Sequence, residues 1–153
     1  SRATLSRVER AETSPTASLL NRLCAAYGLT MSRLLSDIED EPPELLRPPQ
    51  QPVWVDRASG FHRRSVSPPA ALYKAEFIEA RLDAGAQIDY DLPSIPALEH
   101  HLWLLSGQLE LTLEGRVFRL SPGDCLRYRL FGASRFHVPG DEPAHYTLVI
   151  CRP

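Results

Sequence analysis

The residues of this chain with the most chemistry to offer are five histidines, three cysteines and a strong excess of arginine: of 17 basic residues, Lys74 is the one lysine. His100 and His101 are adjacent, and on a strand neighbours point to opposite faces, so the pair cannot ligate one ion from one face. Cys24, Cys125 and Cys151 are odd in number and far apart. That fits neither a disulfide framework nor a zinc cluster, and the three read as small buried hydrophobes. Arginine presents a planar fork suited to phosphate and to guanine. Arg2 and Arg7, with Thr4 between them, fall outside the apolar stripe that Leu5 and Val8 make on a helix. Farther along, Leu126 and Tyr128 alternate with Arg127 and Arg129, which puts the apolar pair on one face of a strand and the arginines on the other. Together with Arg116, Arg119 and Arg135, these arginines either gather around an anionic group or lie scattered in solvent.

Three segments must position these residues. In residues 1 to 38, Ser1 caps a helix ending near Ala11, and Ser14-Pro15 is a cap and first-turn pair for a second helix. That second helix has apolar positions Leu19, Leu20, Leu23, Cys24 and Tyr27, and Gly28 supplies a left-handed stop. Thr30 caps a short third helix that turns Met31, Leu34, Leu35 and Ile38 inward. Residues 39 to 52 hold five of the 14 prolines and read as a stiff extended linker. From residue 53 onward the pattern is short strands and turns. Gln108 to Leu113 alternates strictly, Glu114-Gly115 is a two-residue hairpin turn, and Arg116 to Leu120 returns. Pro122-Gly123-Asp124 is another turn, followed by strands at Cys125 to Leu130 and His145 to Cys151. Such spacing predicts a small antiparallel barrel or double-sheet jelly roll.

At 153 residues, 43% apolar and 24% charged with a net charge of -2, the chain is of ordinary globular composition, which excludes collagen-like, disordered and strongly acidic classes. Its apolar runs, Leu102 to Leu105 among them, are far below the roughly 20 residues that span a bilayer, so a cytoplasmic protein is expected. Charge is uneven. Residues 1 to 36 carry five arginines against two glutamates, whereas Asp37 to Glu44 has five acids and no base. Three short helices cannot bury their apolar faces within 38 residues, and Ser1 opens directly on a cap. The expectation is that the chain is truncated at its N-terminus.

The opening stretch, SRATLSRVERAETSPTASLLNRLCAAYGLTMSRLL, resembles the second half of a helix-turn-helix domain of the XRE, or phage-repressor, type. Its marks are the serine cap, the E-R-x-E-T-S-P junction and the L-x-x-L-C-A-A-x-G-L helix; where the family usually has glycine after E-R, Ala11 stands here. The stretches GFHRRSVSPP, LDAGAQIDY, EHHLWLLSGQLELTLEG and SPGDCLRYR resemble the cupin sensor domain of XRE-cupin regulators. The implied fold is α+β in two domains: a partial, all-α, lambda-repressor-like helix-turn-helix over residues 1–38, a proline-rich linker over 39–52, and an all-β cupin jelly-roll barrel over 53–153.

The resemblance implies a homodimer that lays the helix beginning at Ser1 in the major groove of double-stranded operator DNA. By position, Arg2, Ala3, Thr4 and Arg7 face bases, and Ser1 and Ser6 are placed for phosphate contact. In cupin enzymes a metal sits on two histidines, a glutamate and a histidine from a second motif. The matching positions here are Ser94, Pro96, His100 and Ser134, so only His100 is a plausible ligand and no metal cofactor is expected. Position 100 is placed inward among Leu98, Leu102 and Leu104, where His100 is either a satisfied core residue or the polar group that orients a small-molecule effector. Tyr128, Ser134 and Tyr146 would line the same cavity, with His101 and Trp103 facing outward or into a dimer contact. The expected function is a transcriptional regulator, with no catalytic residues and no membrane partner. The alternatives are a cupin enzyme, an isomerase or metal-dependent oxygenase drawing ligands from His62, His137 or His145, and a binding module without DNA contact.

Overall fold

The computed structural model describes residues 1–35 and 43–153. Ile38, Pro42 and the acidic residues from Asp37 to Glu41 lie outside them.

Three helices open the chain: α1 (Arg2–Glu9), α2 (Ala17–Tyr27) and α3 (Met31–Leu35). The Ser1 hydroxyl accepts from the Thr4 amide, as its cap position predicts. At the other end of α1, Ala11 N–H donates to the Val8 carbonyl and Glu12 N–H to the Arg7 carbonyl, the paired bonds of a Schellman stop. This stop needs a left-handed residue, and Ala11 supplies it at φ 55°. For α2 the expected cap is corrected: Thr16, not Ser14, holds the cap position, and its hydroxyl accepts from the Leu19 amide. Ser14-Pro15 precedes the helix as extended chain. Gly28 ends α2 at φ 65°, and the Thr30 hydroxyl caps α3 by accepting from Arg33 N–H.

After a 3-10 turn at Pro48–Gln50, which interrupts the expected extended linker, ten strands follow: β1 (Val53–Asp56), β2 (Phe61–Ser67), β3 (Ala75–Leu82), β4 (Gln87–Tyr90), β5 (Leu98–Ser106), β6 (Leu109–Leu113), β7 (Arg116–Leu120), β8 (Cys125–Leu130), β9 (Ser134–His137) and β10 (Ala144–Cys151). They form a six-stranded sheet, β1-β2-β3-β10-β5-β8, and a four-stranded sheet, β4-β9-β6-β7, with every pairing antiparallel. The β6-β7 hairpin turns on Glu114 and Gly115 at φ 47° and 84°, a two-residue turn whose hand matches the strand twist. Gly107, at φ 78°, has no alternative: a Cβ there would stand 2.3 Å from the Pro143 carbonyl oxygen.

Alternation decides which side chains meet between the sheets. On β5 the inward residues are Leu98, His100, Leu102 and Leu104, and on β10 Ala144, Tyr146, Leu148 and Ile150. Leu82, Leu102, Leu104, Leu109, Leu111 and Val138 are fully enclosed, each stabilising the fold by about 1.5–3 kcal/mol relative to exposure. The same rule turns polar residues inward: Arg63 and Ser65 on β2, and Glu76 on β3. Cys24 is buried, but Cys125 is exposed and Cys151 half-buried, because both lie on the outward register of their strands. Two of the three cysteines are therefore not the core residues expected.

The apolar face of α2 is covered by the barrel. Ala17, Leu20 and Cys24 are buried, and Ala17 belongs to the same apolar cluster as the strands. Tyr27, expected on that face, is 70% exposed. Polar bonds fix the docking: Ala17 N–H donates to the Asp56 carboxylate at 2.8 Å, Ser18 to the Asp89 carbonyl at 2.7 Å, and Asn21 to the Leu92 carbonyl at 2.7 Å. In α3, the Thr30 hydroxyl donates to Glu76 at 2.7 Å and Ser32 accepts from Arg63 at 2.6 Å.

Candidate functional site

A cavity of about 90 Å³ opens between the two sheets at the end where the helices dock. Its wall is mostly apolar, built from residues such as Phe61, Ile78, Leu98 and Leu148. All four sequence-predicted cavity residues, His100, Tyr128, Ser134 and Tyr146, are on that wall, brought there by four different strands. Asn21, Thr30 and Met31 complete it from the helical segment, so helices and barrel share one pocket.

His100 Nδ1 lies 3.0 Å from the Tyr128 hydroxyl, with the rings edge to face at 5.1 Å. Its Nε2 is buried without a partner. Burial, reinforced by the positive charges of Arg63 and His101, pulls the imidazole pKa down to about 3, so His100 is neutral at physiological pH. Burial also pushes the Tyr90, Tyr128 and Tyr146 phenols up, which keeps all three protonated and able to donate. Arg63 is a wall residue that sequence reasoning missed. It is 5% exposed and lines the pocket, and its Nη2 donates to Ser32 while its Nε has no partner. Alternation from the apolar Phe61 was the available signal, because it sends position 63 inward and Arg64 outward.

The second group of predicted residues sits on α1, which buries none of its residues. Ser1, Arg2, Ala3, Thr4 and Arg7 are exposed and Ser6 is half-buried. At 3.6 residues per turn, Arg2, Ser6, Ala3 and Arg7 fall within an arc of about 140°, opposite Leu5 and Val8. The Ser6 hydroxyl accepts from Arg10 and retains its own proton for donation.

Comparison with known proteins places this arrangement. Among curated proteins, the HTH-type transcriptional regulator SutR of Escherichia coli (strain K12) is 24% identical over 153 residues, covering 100% of this chain and 81% of that protein. An HTH_3 family transcriptional regulator from Vibrio cholerae has a crystal structure that matches with a TM-score of 0.77 at 18% identity, over 100% of this chain and 81% of that one. The chain shares the fold of that crystal structure along its whole length. The Cupin_2 domain of an XRE family transcriptional regulator from Enterobacter cloacae matches the barrel part, with a TM-score of 0.57 at 19% identity over 61% of this chain and 98% of that domain. No protein-family model matches the chain.

The wall does not suit a metal ion: His100 is its one imidazole, Ser94 and Ser134 are neutral hydroxyls, and the charged group on the wall is the cation of Arg63. Histidines from elsewhere do not fill the gap. His137 pairs with Glu110 at 3.3 Å, His145 with Glu79 at 2.9 Å, and His62 stands 4.0 Å from Asp83, each of them partly exposed. Among the described residues no three His, Cys, Asp or Glu side chains converge on a point. The arginine cluster also dissolves in the barrel. Arg116, Arg119 and Arg135 belong to one sheet and Arg127 and Arg129 to the other, while Arg119, Arg129 and Arg135 pair with Glu110, Glu99 and Asp89. His101 and Trp103 face outward, Trp103 at 51% exposure.

Proposed function

We propose that this protein is a sequence-specific DNA-binding transcriptional regulator that acts as a homodimer in the cytoplasm, reads an operator with α1, and senses a small molecule in the barrel cavity. The observation that carries the reading is the shared pocket: Asn21, Thr30 and Met31 from the helical segment stand on the same wall as His100, Tyr128, Ser134 and Tyr146. An occupant there touches both parts at once, and a ligand shifts an equilibrium by its difference in affinity for the two arrangements. Coupling runs through these direct contacts rather than through stiffness of residues 39–52. In a dimer, a change in α3 and α2 alters the separation of two α1 helices that must match half-sites ~34 Å apart.

Within α1, Arg2 and Arg7 are the residues suited to bidentate contact with guanine, Ala3 and Thr4 offer methyl groups to thymine, and Ser1 and Ser6 meet phosphates. Nothing in the cavity supplies a catalytic pair: its histidine is neutral and bonded to a tyrosine, and its charged group is an arginine. The regulator reading is therefore favoured over a cupin enzyme. Selection of bound duplexes from a random-sequence pool tests it. A single enriched motif with two-fold symmetry is expected, together with a dimer by sedimentation, and recovery of unselected sequence would overturn the reading.

A further inference from the structure

We propose that the cavity is an anion site whose occupant is a compact organic carboxylate, with Arg63 as its counter-ion and Ser32 as the group through which α3 registers its arrival. The proposal rests on the sensing reading above and adds the chemical class of the ligand.

A guanidinium offers five N–H donors, and a buried one is costly unless a carboxylate or several acceptors meet it. Arg63 is 5% exposed, and among the described residues no carboxylate lies within ion-pairing distance of it. Its side-chain bond runs from Nη2 to Ser32 Oγ at 2.6 Å, and its Nε has no partner. The buried acid Glu76 is close enough for its charge to act on Arg63, but it is not on the cavity wall; one of its oxygens is taken by Thr30 and the other is unpartnered. Among the described wall residues, Arg63 is the one charged side chain at neutral pH.

The rest of the wall selects the shape and the sign. His100 Nε2 is buried and unpartnered, and when Tyr128 donates to Nδ1 this nitrogen carries a proton that no described acceptor takes. The phenols of Tyr90 and Tyr146, close enough to Arg63 to feel its charge, are further neutral donors. An arginine, an imidazole and phenols on one wall are a donor set suited to a carboxylate, and the same arginine repels a cationic group. Ile78, Leu98, Leu148 and Ile150 then receive an apolar body, and about 90 Å³ holds only a compact one. Because Nε and Nη2 share one edge of the guanidinium, a carboxylate that takes the unpartnered Nε competes with Ser32 of α3, which holds Nη2, for the orientation of the same planar group.

Calorimetric and thermal-shift titrations of the protein with propionate, isobutyrate, isovalerate and benzoate, each beside its primary amide, test this at neutral pH. At least one acid is expected to bind and to raise the melting temperature, with its amide weaker by about tenfold or more, the value of one charge-assisted contact. Arg63→Met should abolish the preference for acid over amide, and Arg63→Lys should keep part of it. Ser32→Ala should keep acid binding while removing the acid-induced change in hydrogen exchange at α3. Amides that bind as well as acids, a panel in which no acid binds, or a preference that survives in Arg63→Met overturns the proposal. The comparison of acid with amide in the unmodified protein stands even if Arg63→Met fails to fold. Acid selectivity without any effect on DNA affinity would keep the anion site and overturn the sensing reading; amide binding that changes DNA affinity would do the reverse.

Discussion

His100 shows how one residue type takes its character from its register. Two adjacent histidines carry the same side chain, yet His101 faces outward against Glu99 at 3.0 Å while His100 lies against Tyr128 in an apolar wall. In the unfolded chain an imidazole takes a proton near pH 6.5, whereas in the fold His100 resists it until about pH 3, through burial first and the charges of Arg63 and His101 second. The stability that a neutral His100 permits is complete above pH 6.5 and declines progressively as pH falls toward 3. His100→Gln should flatten that part of the decline by on the order of a few kcal/mol relative to the unmodified protein, measured as unfolding free energy between pH 7 and pH 4. Identical slopes would show that His100 is not held neutral. Ala11 also has an unusual setting, since a Cβ at φ 55° strains the stop of α1. Ala11→Gly should stabilise the protein by about 1 kcal/mol in urea denaturation, and a drop in stability would refute the strain. Both settings were readable in the sequence, His100 from the resemblance and Ala11 from the missing glycine. Arg63 escaped because an arginine beside a second arginine reads as solvated surface until the strand's inward register is known.

At the scale of elements, strands with strict alternation were legible to within a residue: β7 and β8 lie where their patterns put them, and β6 begins at Leu109, one residue after the expected Gln108. Short helices were less so. Their ends depend on which of several hydroxyl residues wins the cap, and Thr16 wins over Ser14 because the docked position of α2 is fixed from outside. Asp56 does the fixing. Its carboxylate accepts from Ala17 N–H, 39 residues away in sequence, and from the Ser59 hydroxyl and the Ala58 and Ser59 amides. Asp56→Ala leaves a buried helix N–H unmet and should cost about 1–3 kcal/mol. Hydrogen exchange should then accelerate in residues 17–35 more than in β5 and β10, because the helices loosen from the barrel before the barrel opens. Uniform acceleration throughout the strands would show that α2 is not an independently docked element. No pattern in the sequence links Asp56 to Ala17, since a pairing of that separation is invisible to local periodicity.

At the scale of the molecule, the order of parts was legible and their relation was not. A proline-rich stretch between two differently patterned segments suggests beads on a stiff string, yet α2 and α3 lie on the barrel through a buried polar seam and share a cavity with it. The proposed function rests on that relation: the helical segment proposed to carry the DNA-reading helix and the barrel proposed to hold a ligand have a wall in common. On a selected duplex, removing a side chain that neutralises a phosphate should lower the salt dependence of binding by about one unit of slope. Removing one that reads a base should instead cost about 1–3 kcal/mol and relax the sequence preference at one position. The most direct test is the affinity of the protein for its selected duplex, followed by fluorescence anisotropy over a range of salt, for the unmodified chain and for Arg2→Ala, Arg7→Ala and the two together. Each single change is expected to weaken binding by about tenfold or more, and the double change to reduce it to the level of unrelated DNA. Undiminished, sequence-selective binding by the double variant would contradict the account.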